Sequence, residues 1–321
     1  MPIKLTDLIA RVSPAVEEKV RRTRDRERTK LQNALRSECR LVLRSQDDIE
    51  DERAGAQVPV EITPGHPEVL EDIEFPEDYD HIILLSRYRA VLEEAKHGVN
   101  GMLELRKKFL QMSEPDKWIT ADEAALTSTA SWAVKLLTIL DQYDPLKKVF
   151  AVRDDYLGVY QYRYKETLLP DEYEANKANI LLYWGVIGLV SDWMGCTVED
   201  LTVVVLAHEL AHAYTQLGAD IDGRRWVASK FAKTDKGLKE GLAQYYTERV
   251  LRRMNRRYEG ALKVYEKMLP GQPEEYRTHL QWMEGYSPEA IRRAILEVRR
   301  DTEGKLDVFA KRLDEAQKQF Q

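Results

Sequence analysis

The sequence predicts an α+β fold, mostly helical, with a small sheet and a long charged helix near the amino terminus. Three observations carry this. Apolar residues recur at helical spacing over most of the 321 residues. β-branched and aromatic runs are confined to the middle of the chain, in KKVFAVRD, YLGVYQYRY and ANILLYWG. Charged residues make up 32% and apolar residues 43% of the chain, a balance that suits a globular protein and excludes a collagen-like or membrane-embedded one.

Three consecutive segments follow. In residues 1–80, Ser13 to about Ser45 reads as one helix: Ser13 can cap it, Pro14 suits its first turn, and Val16, Val20, Leu31, Leu35, Leu41 and Val42 fall near one stripe. Its middle, RRTRDRERTK, is polar all round and reads as protruding or packing on a protein partner. Residues 46–80, acidic and holding Pro59, Pro64, Pro67 and Pro76, read as a linker. Residues 81–147 read as a helical subdomain: HIILLSRYRAVLEEAKHG ending at Gly98, then VNGMLELRKKFLQM, then a helix with Thr120 and Glu123 at capping-box spacing. Residues 148–321 hold the strands and the remaining helices. VIGLVSDWMG is stopped by Gly195, Thr197 and Asp200 open a helix that Gly218 closes, and KGLKEGLAQYYTERVLRRMNRRY is a further helix. Ser287 and Pro288 start the last long helical segment.

Composition narrows the function. Two distant cysteines, Cys39 and Cys196, exclude a disulfide framework and a thiolate metal cage. No apolar run reaches the length of a membrane span, and the first residues lack an apolar stretch followed by a cleavage site. The expectation is a cytoplasmic protein with no membrane contact. Residues 19–44 are basic and 47–80 acidic; with a net charge of −6 these are read as neutralising each other rather than as a nucleic-acid surface.

The chemistry lies in HELAH, residues 208–212, inside the apolar helix VVVLAHELAHAY. His208 and His212, at i and i+4, share one face one turn apart, so their imidazoles can converge on one metal ion. Glu209 sits beside the metal and can take a proton from a water. Burying these three polar groups to no purpose would cost on the order of several kcal/mol. Zinc suits such a site, accepting nitrogen and oxygen ligands in a tetrahedron. A third ligand must come from elsewhere. The HExxHxxGxxH pattern fails, because its last two fixed slots hold Thr215 and Gly218. Asp220 and Asp222 in GADIDG, or Glu240 in KEGLAQYY, can supply a carboxylate. Glu240 is preferred because a helix holds a ligand more rigidly than a loop, and Gly241, Leu242 and Ala243 allow close approach to the HELAH helix.

HELAH followed by an EGLAQYY helix resembles the gluzincin metallopeptidases, the thermolysin-like and aminopeptidase-like group, over roughly residues 150–260. The resemblance implies a zincin-like core, a zinc held by His208, His212 and Glu240, and Glu209 as general base in peptide hydrolysis. It also implies that ANILLYWG is a sheet-edge strand along the substrate cleft, and that a Tyr or His from a later helix stabilises the oxyanion, for which Tyr276 and His279 are the candidates. The chain departs from the group in a longer spacer before Glu240, about 27 residues. It also carries Gln244 where many members have a carboxylate supporting a ligand imidazole; Glu248, Asp220 or Asp222 are the substitutes. The aminopeptidase motif for a free amino terminus is missing, so endopeptidase action on protein or peptide is expected. The competing reading is a zincin-fold binding protein that keeps its metal without turnover.

Overall fold

The computed structural model describes residues 2–43, 58–77, 79, 82, 88–110, 123–152, 155–163, 177–300 and 304–320. These are mostly helical with a small sheet. The amino-terminal elements are β1 (Ile3–Lys4), α1 (Leu5–Ala10), α2 (Ala15–Cys39), β2 (Val60–Thr63) and β3 (Glu74–Phe75). Next come α3 (Arg89–Leu110), α4 (Glu123–Tyr143), α5 (Pro145–Phe150), β4 (Gly158–Arg163), β5 (Lys177–Tyr183) and α6 (Trp184–Met194). The rest is helical: α7 (Val198–Leu217), α8 (Ala228–Ala232), α9 (Lys236–Arg253), α10 (Asn255–Met268), α11 (Glu274–Arg277), α12 (His279–Gly285), α13 (Pro288–Val298) and α14 (Leu306–Phe320).

The chain forms two compact units, Met1–Leu5 with Asp72–Val149, and Thr6–Glu71 with Phe150–Gln321. This grouping differs from the three consecutive segments read from sequence. In the first unit β1 pairs antiparallel with β3, and α3 packs against α4. The expected helix end at Gly98 does not occur: α3 runs through Gly98 and Gly101. An interior glycine costs a helix only about 1 kcal/mol relative to alanine, which its apolar face outweighs. The Thr120 cap and His81 lie outside the described residues.

In the second unit β5 is the middle strand of a three-stranded sheet, antiparallel to β4 and parallel to β2, with Val159 opposite Leu181 and Val60 opposite Ile180. Ile180 and Leu182 point into the core, the alternation a strand with one covered face needs. The expectation that ANILLYWG is the edge strand is therefore corrected: β2 and β4 are the edges among the described residues, and β4 is the one beside HELAH. KKVFAVRD is corrected too. Its first half belongs to α5, where Asp144 Oδ1 accepts from the backbone N–H of Leu146 at 3.0 Å and Pro145 opens the turn, a start signal that outweighs β propensity. Part of the stretch read as linker is β2; residues 44–57 lie outside the described ones.

Helix α2 packs along α7 and buries Val20, Leu31, Leu35 and Cys39. It ends at Cys39 rather than near Ser45, because Arg40 adopts a left-handed conformation, φ 53°. Val42 beyond it bridges Ala219. The polar middle of α2 is anchored within the unit. Buried Glu27 accepts from Arg257 at 2.9 and 3.0 Å and from the Tyr258 hydroxyl at 2.9 Å.

Candidate metal centre

Helix α7 is buried from Leu201 to Leu217 on every side. Thr197 caps its start, its hydroxyl oxygen accepting from the Asp200 N–H at 3.0 Å. Gly218 ends it, though with φ −62°, so the stop owes nothing to left-handed freedom. Glycine is needed there for close approach, since a Cβ would lie 2.7 Å from that of Leu41. Buried Arg299 secures the same end, donating to the carbonyls of Thr215 and Gly218 at 2.6 and 2.7 Å. Most polar groups on α7 are spent internally. Thr202 and Thr215 donate to helix carbonyls, and Gln216 Oε1 accepts from the Tyr160 hydroxyl at 2.7 Å.

The HELAH side chains differ. His208 Nε2 and His212 Nε2 lie 3.1 Å apart, and both face Glu240 Oε2, at 3.3 and 3.2 Å. All three residues are buried and could hold a metal ion. Of the sequence-derived candidates for third ligand, Glu240 is thus the one brought to the histidines. Asp220 accepts the N–H groups of Asp222 and Arg224 in its own turn, and Asp222 faces Arg300. Gly241 does not face α7 as expected: a Cβ there would meet the Trp282 ring at 2.7 Å, on α12.

Glu209 projects beside this triangle. One of its carboxylate oxygens lacks a partner among the described residues, as do Glu240 Oε2 and His208 Nδ1. Strand β4 lies against it, and Gly158 makes the approach feasible: a Cβ would stand 2.7 Å from Val205 and 3.1 Å from the Glu209 side chain. The Tyr160 backbone N–H hydrogen-bonds the Glu209 carboxylate. The adjoining cavity is about 50 Å³, room for a few waters.

Tyr276 and His279 part company. Tyr276 lines that cavity, its ring 5.9 Å from the His208 ring and its hydroxyl donating to Asp155 Oδ1 at 2.6 Å. His279 is fully buried and turned into a different network: Nε2 lies 3.0 Å from Glu248 Oε2 and 2.9 Å from the Tyr265 hydroxyl, and Nδ1 lies 3.0 Å from the Tyr276 carbonyl. Its placement as an oxyanion donor is corrected, since both ring nitrogens are engaged away from the cavity. Glu248 is spent on His279 and Arg252. Gln244 Nε2 donates to Gln272 at 3.2 Å. Gln244 Oε1 meets no donor among the described residues, so neither side chain supports a ligand imidazole.

Asp155 was not anticipated. Its carboxylate lies within 4.8 Å of donor atoms of both Glu209 and His212. The only cue in the sequence is a pair of aspartates shortly before a strand, which no spacing rule connects to HELAH. Three carboxylates and two imidazoles therefore share one water-poor pocket. Burial first, then Asp155 and Glu240, push Glu209 well above the usual carboxylate range. Burial and Glu240 raise Asp155. Burial opposes ionisation of Glu240, but His212 and His208 outweigh it and hold its carboxyl low. Burial lowers His212 while Glu240 lifts it further, so the net shift is upward. Such crowding of like charge is what a bound cation relieves. Compared with known proteins, the chain matches no family model, no curated sequence and no solved structure.

Proposed function

We propose that the chain is a zinc metallopeptidase of gluzincin type with a zincin-like core, acting on internal peptide bonds. One observation carries the reading: three ligand-type atoms form a triangle with sides of 3.1, 3.2 and 3.3 Å. Ligands about 2.0–2.1 Å from a tetrahedral zinc stand about 3.3 Å apart. His208, His212 and Glu240 would hold the ion, and the orphaned Glu240 Oε2 is the atom such a cation satisfies. When bound, zinc supplies Lewis acidity toward a water and toward a substrate carbonyl oxygen. Glu209 accepts the proton of the attacking water and passes it to the leaving amine. Tyr276, once released by Asp155, donates its hydroxyl to the developing oxyanion. Strand β4 offers its outer side to an extended peptide, in the manner of strand addition.

The small cavity favours a second reading, a metal-holding protein without turnover, because a peptide side chain needs more than about 50 Å³. Glu209→Gln separates the two. The variant should keep about one zinc per chain, since Glu209 is not a ligand, and lose roughly two to four orders of magnitude in turnover on a denatured-protein library. Equal cleavage by parent and variant removes the general-base mechanism. Bound zinc with no cleavage by the parent supports the second reading.

A further inference from the structure

Where α2 and α9 end beside α13, an open groove of about 740 Å³ is lined by Arg40, Arg249, Arg253, Arg292, Arg293 and Arg300. Three glutamates share it, Glu38, Glu289 and Glu297, so the lining carries +3 on a chain of net charge −6. Some of this charge is spent locally. Glu38 takes Arg249 and Arg253 at 2.7 Å each, and Glu297 takes Arg293 at 2.9 Å. Arg292 Nε donates to the Cys39 carbonyl at 3.2 Å. Among the described residues the Arg40 guanidinium meets no carboxylate or carbonyl.

Arg40 is conspicuous for its backbone as well. It is the sole non-glycine with positive φ among the described residues, at the end of α2. Glycine is the usual occupant of a left-handed helix terminus, because a Cβ there crowds the backbone. An arginine at this position disfavours the fold slightly and puts into the groove a cation with no carboxylate partner among the described residues. Strain kept at an exposed position, together with a charge unmatched among the described residues, points to a ligand.

We propose that the groove binds an acidic peptide segment. Arginine pairs carboxylates in a bidentate fork, and spaced carboxylates on a peptide can alternate with the groove's own glutamates. A nucleic-acid backbone, with charge on every residue, would confront Glu38, Glu289 and Glu297. Leu296 and half-exposed Phe320 add apolar surface that suits peptide side chains. The site goes beyond the metal centre and is separate from it. Helix α9 carries Glu240 near one end and Arg249 and Arg253 at the other, about 14–20 Å apart along the axis. Occupancy of the groove requires no hydrolysis.

Fluorescence anisotropy of the full chain with a labelled decapeptide of alternating glutamate and glycine tests this, with its lysine-glycine counterpart and a single-stranded DNA decamer alongside. The parent should bind the glutamate-glycine peptide and not the lysine-glycine one. Arg40→Gly should weaken that binding about tenfold while melting at the same temperature or higher, since glycine suits the backbone there. Arg40→Glu should weaken it further, and neither variant should change zinc content. No binding of the glutamate-glycine peptide, or equal affinity in all three proteins, overturns the proposal. Tenfold tighter binding of the DNA makes the groove a phosphate site instead. A tenfold gain on neutralising Asp47, Asp48, Glu50, Asp51 and Glu52 makes the chain's own acidic run the ligand, which also overturns it.

Discussion

Helix α9 carries two buried glutamates about two turns apart, and each faces histidine. The two sites use the same residue types to opposite ends. At Glu248 the chain completes its own chemistry: His279, Tyr265 and Arg252 meet the carboxylate, and the second nitrogen of His279 meets a carbonyl. At Glu240 two imidazole nitrogens and a carboxylate oxygen converge within 3.3 Å of one another, and Glu240 Oε2 and His208 Nδ1 are left without a satisfied partner among the described residues. Buried polar atoms are normally paired, so a convergent unpaired set marks a place where something else belongs. Identity of residue says little here. Completeness of pairing separates scaffold from site.

His208→Ala should abolish stoichiometric zinc, whereas His279→Ala should retain about one zinc per chain and lose about 1–3 kcal/mol of stability, because Glu248 loses one partner but keeps Arg252 and Tyr265. Elemental analysis and denaturant melts on both variants decide it. Equal zinc loss in the two would erase the distinction between the glutamates.

A smaller effect sharpens it on the phenols. Tyr276→Phe should lower turnover by about two to three orders of magnitude, the usual cost of one oxyanion donor. Tyr265→Phe, which removes a hydroxyl bonded to Glu248 and His279 and keeps the ring that lines the cavity, should leave turnover within a few-fold and act on stability instead. Rates and melts measured on the same preparations give both answers.

The smallest effect concerns a third buried carboxylate, one matched by cations within the chain. Burial raises the pKa of Glu27, but its bonds to Arg257, Tyr258 and Arg26 outweigh this and lower it from 4.5 to about 2. A depressed carboxylate stabilises the fold above its unfolded pKa, and that contribution is lost as pH falls through the folded one. Parent stability should therefore decline between about pH 4.5 and 2, while Glu27→Gln is flatter in that window and less stable by about 1–3 kcal/mol at neutral pH. Chemical denaturation at several pH values checks it. Parallel profiles for the two proteins would leave Glu27 without this role.

What was legible in the sequence was local. The i,i+4 histidines, the Thr197 and Ser287 caps, the Gly195 stop and the β5 strand each follow from residues a turn or two apart. Glu240 was reachable because helix residues hold a ligand rigidly and its neighbours are apolar. What was missed depends on long-range packing. β2 pairs with a strand far along the chain, Asp155 reaches HELAH from a loop, and Glu27 finds its arginine on α10. His279 and Tyr276 look alike at sequence level, three positions apart on adjoining short helices, yet one faces the cavity and the other faces away. Only the placement of α9 and α10 decides between them.

The parallel pairing of Val60 with Ile180 has a further consequence, in time rather than space. The unit that holds the candidate metal centre is interrupted in sequence, and the whole stretch Asp72–Val149 must be synthesised before its sheet can close. At about 5–20 residues per second, β2 waits roughly 6–24 s for its partner strand to be made. During that interval the apolar stripe of α2 has no α7 to cover it. The nascent chain is then at its most vulnerable to aggregation and to binding by chaperones, and slowing translation between the two strands should lengthen that exposure without altering a single contact of the finished protein.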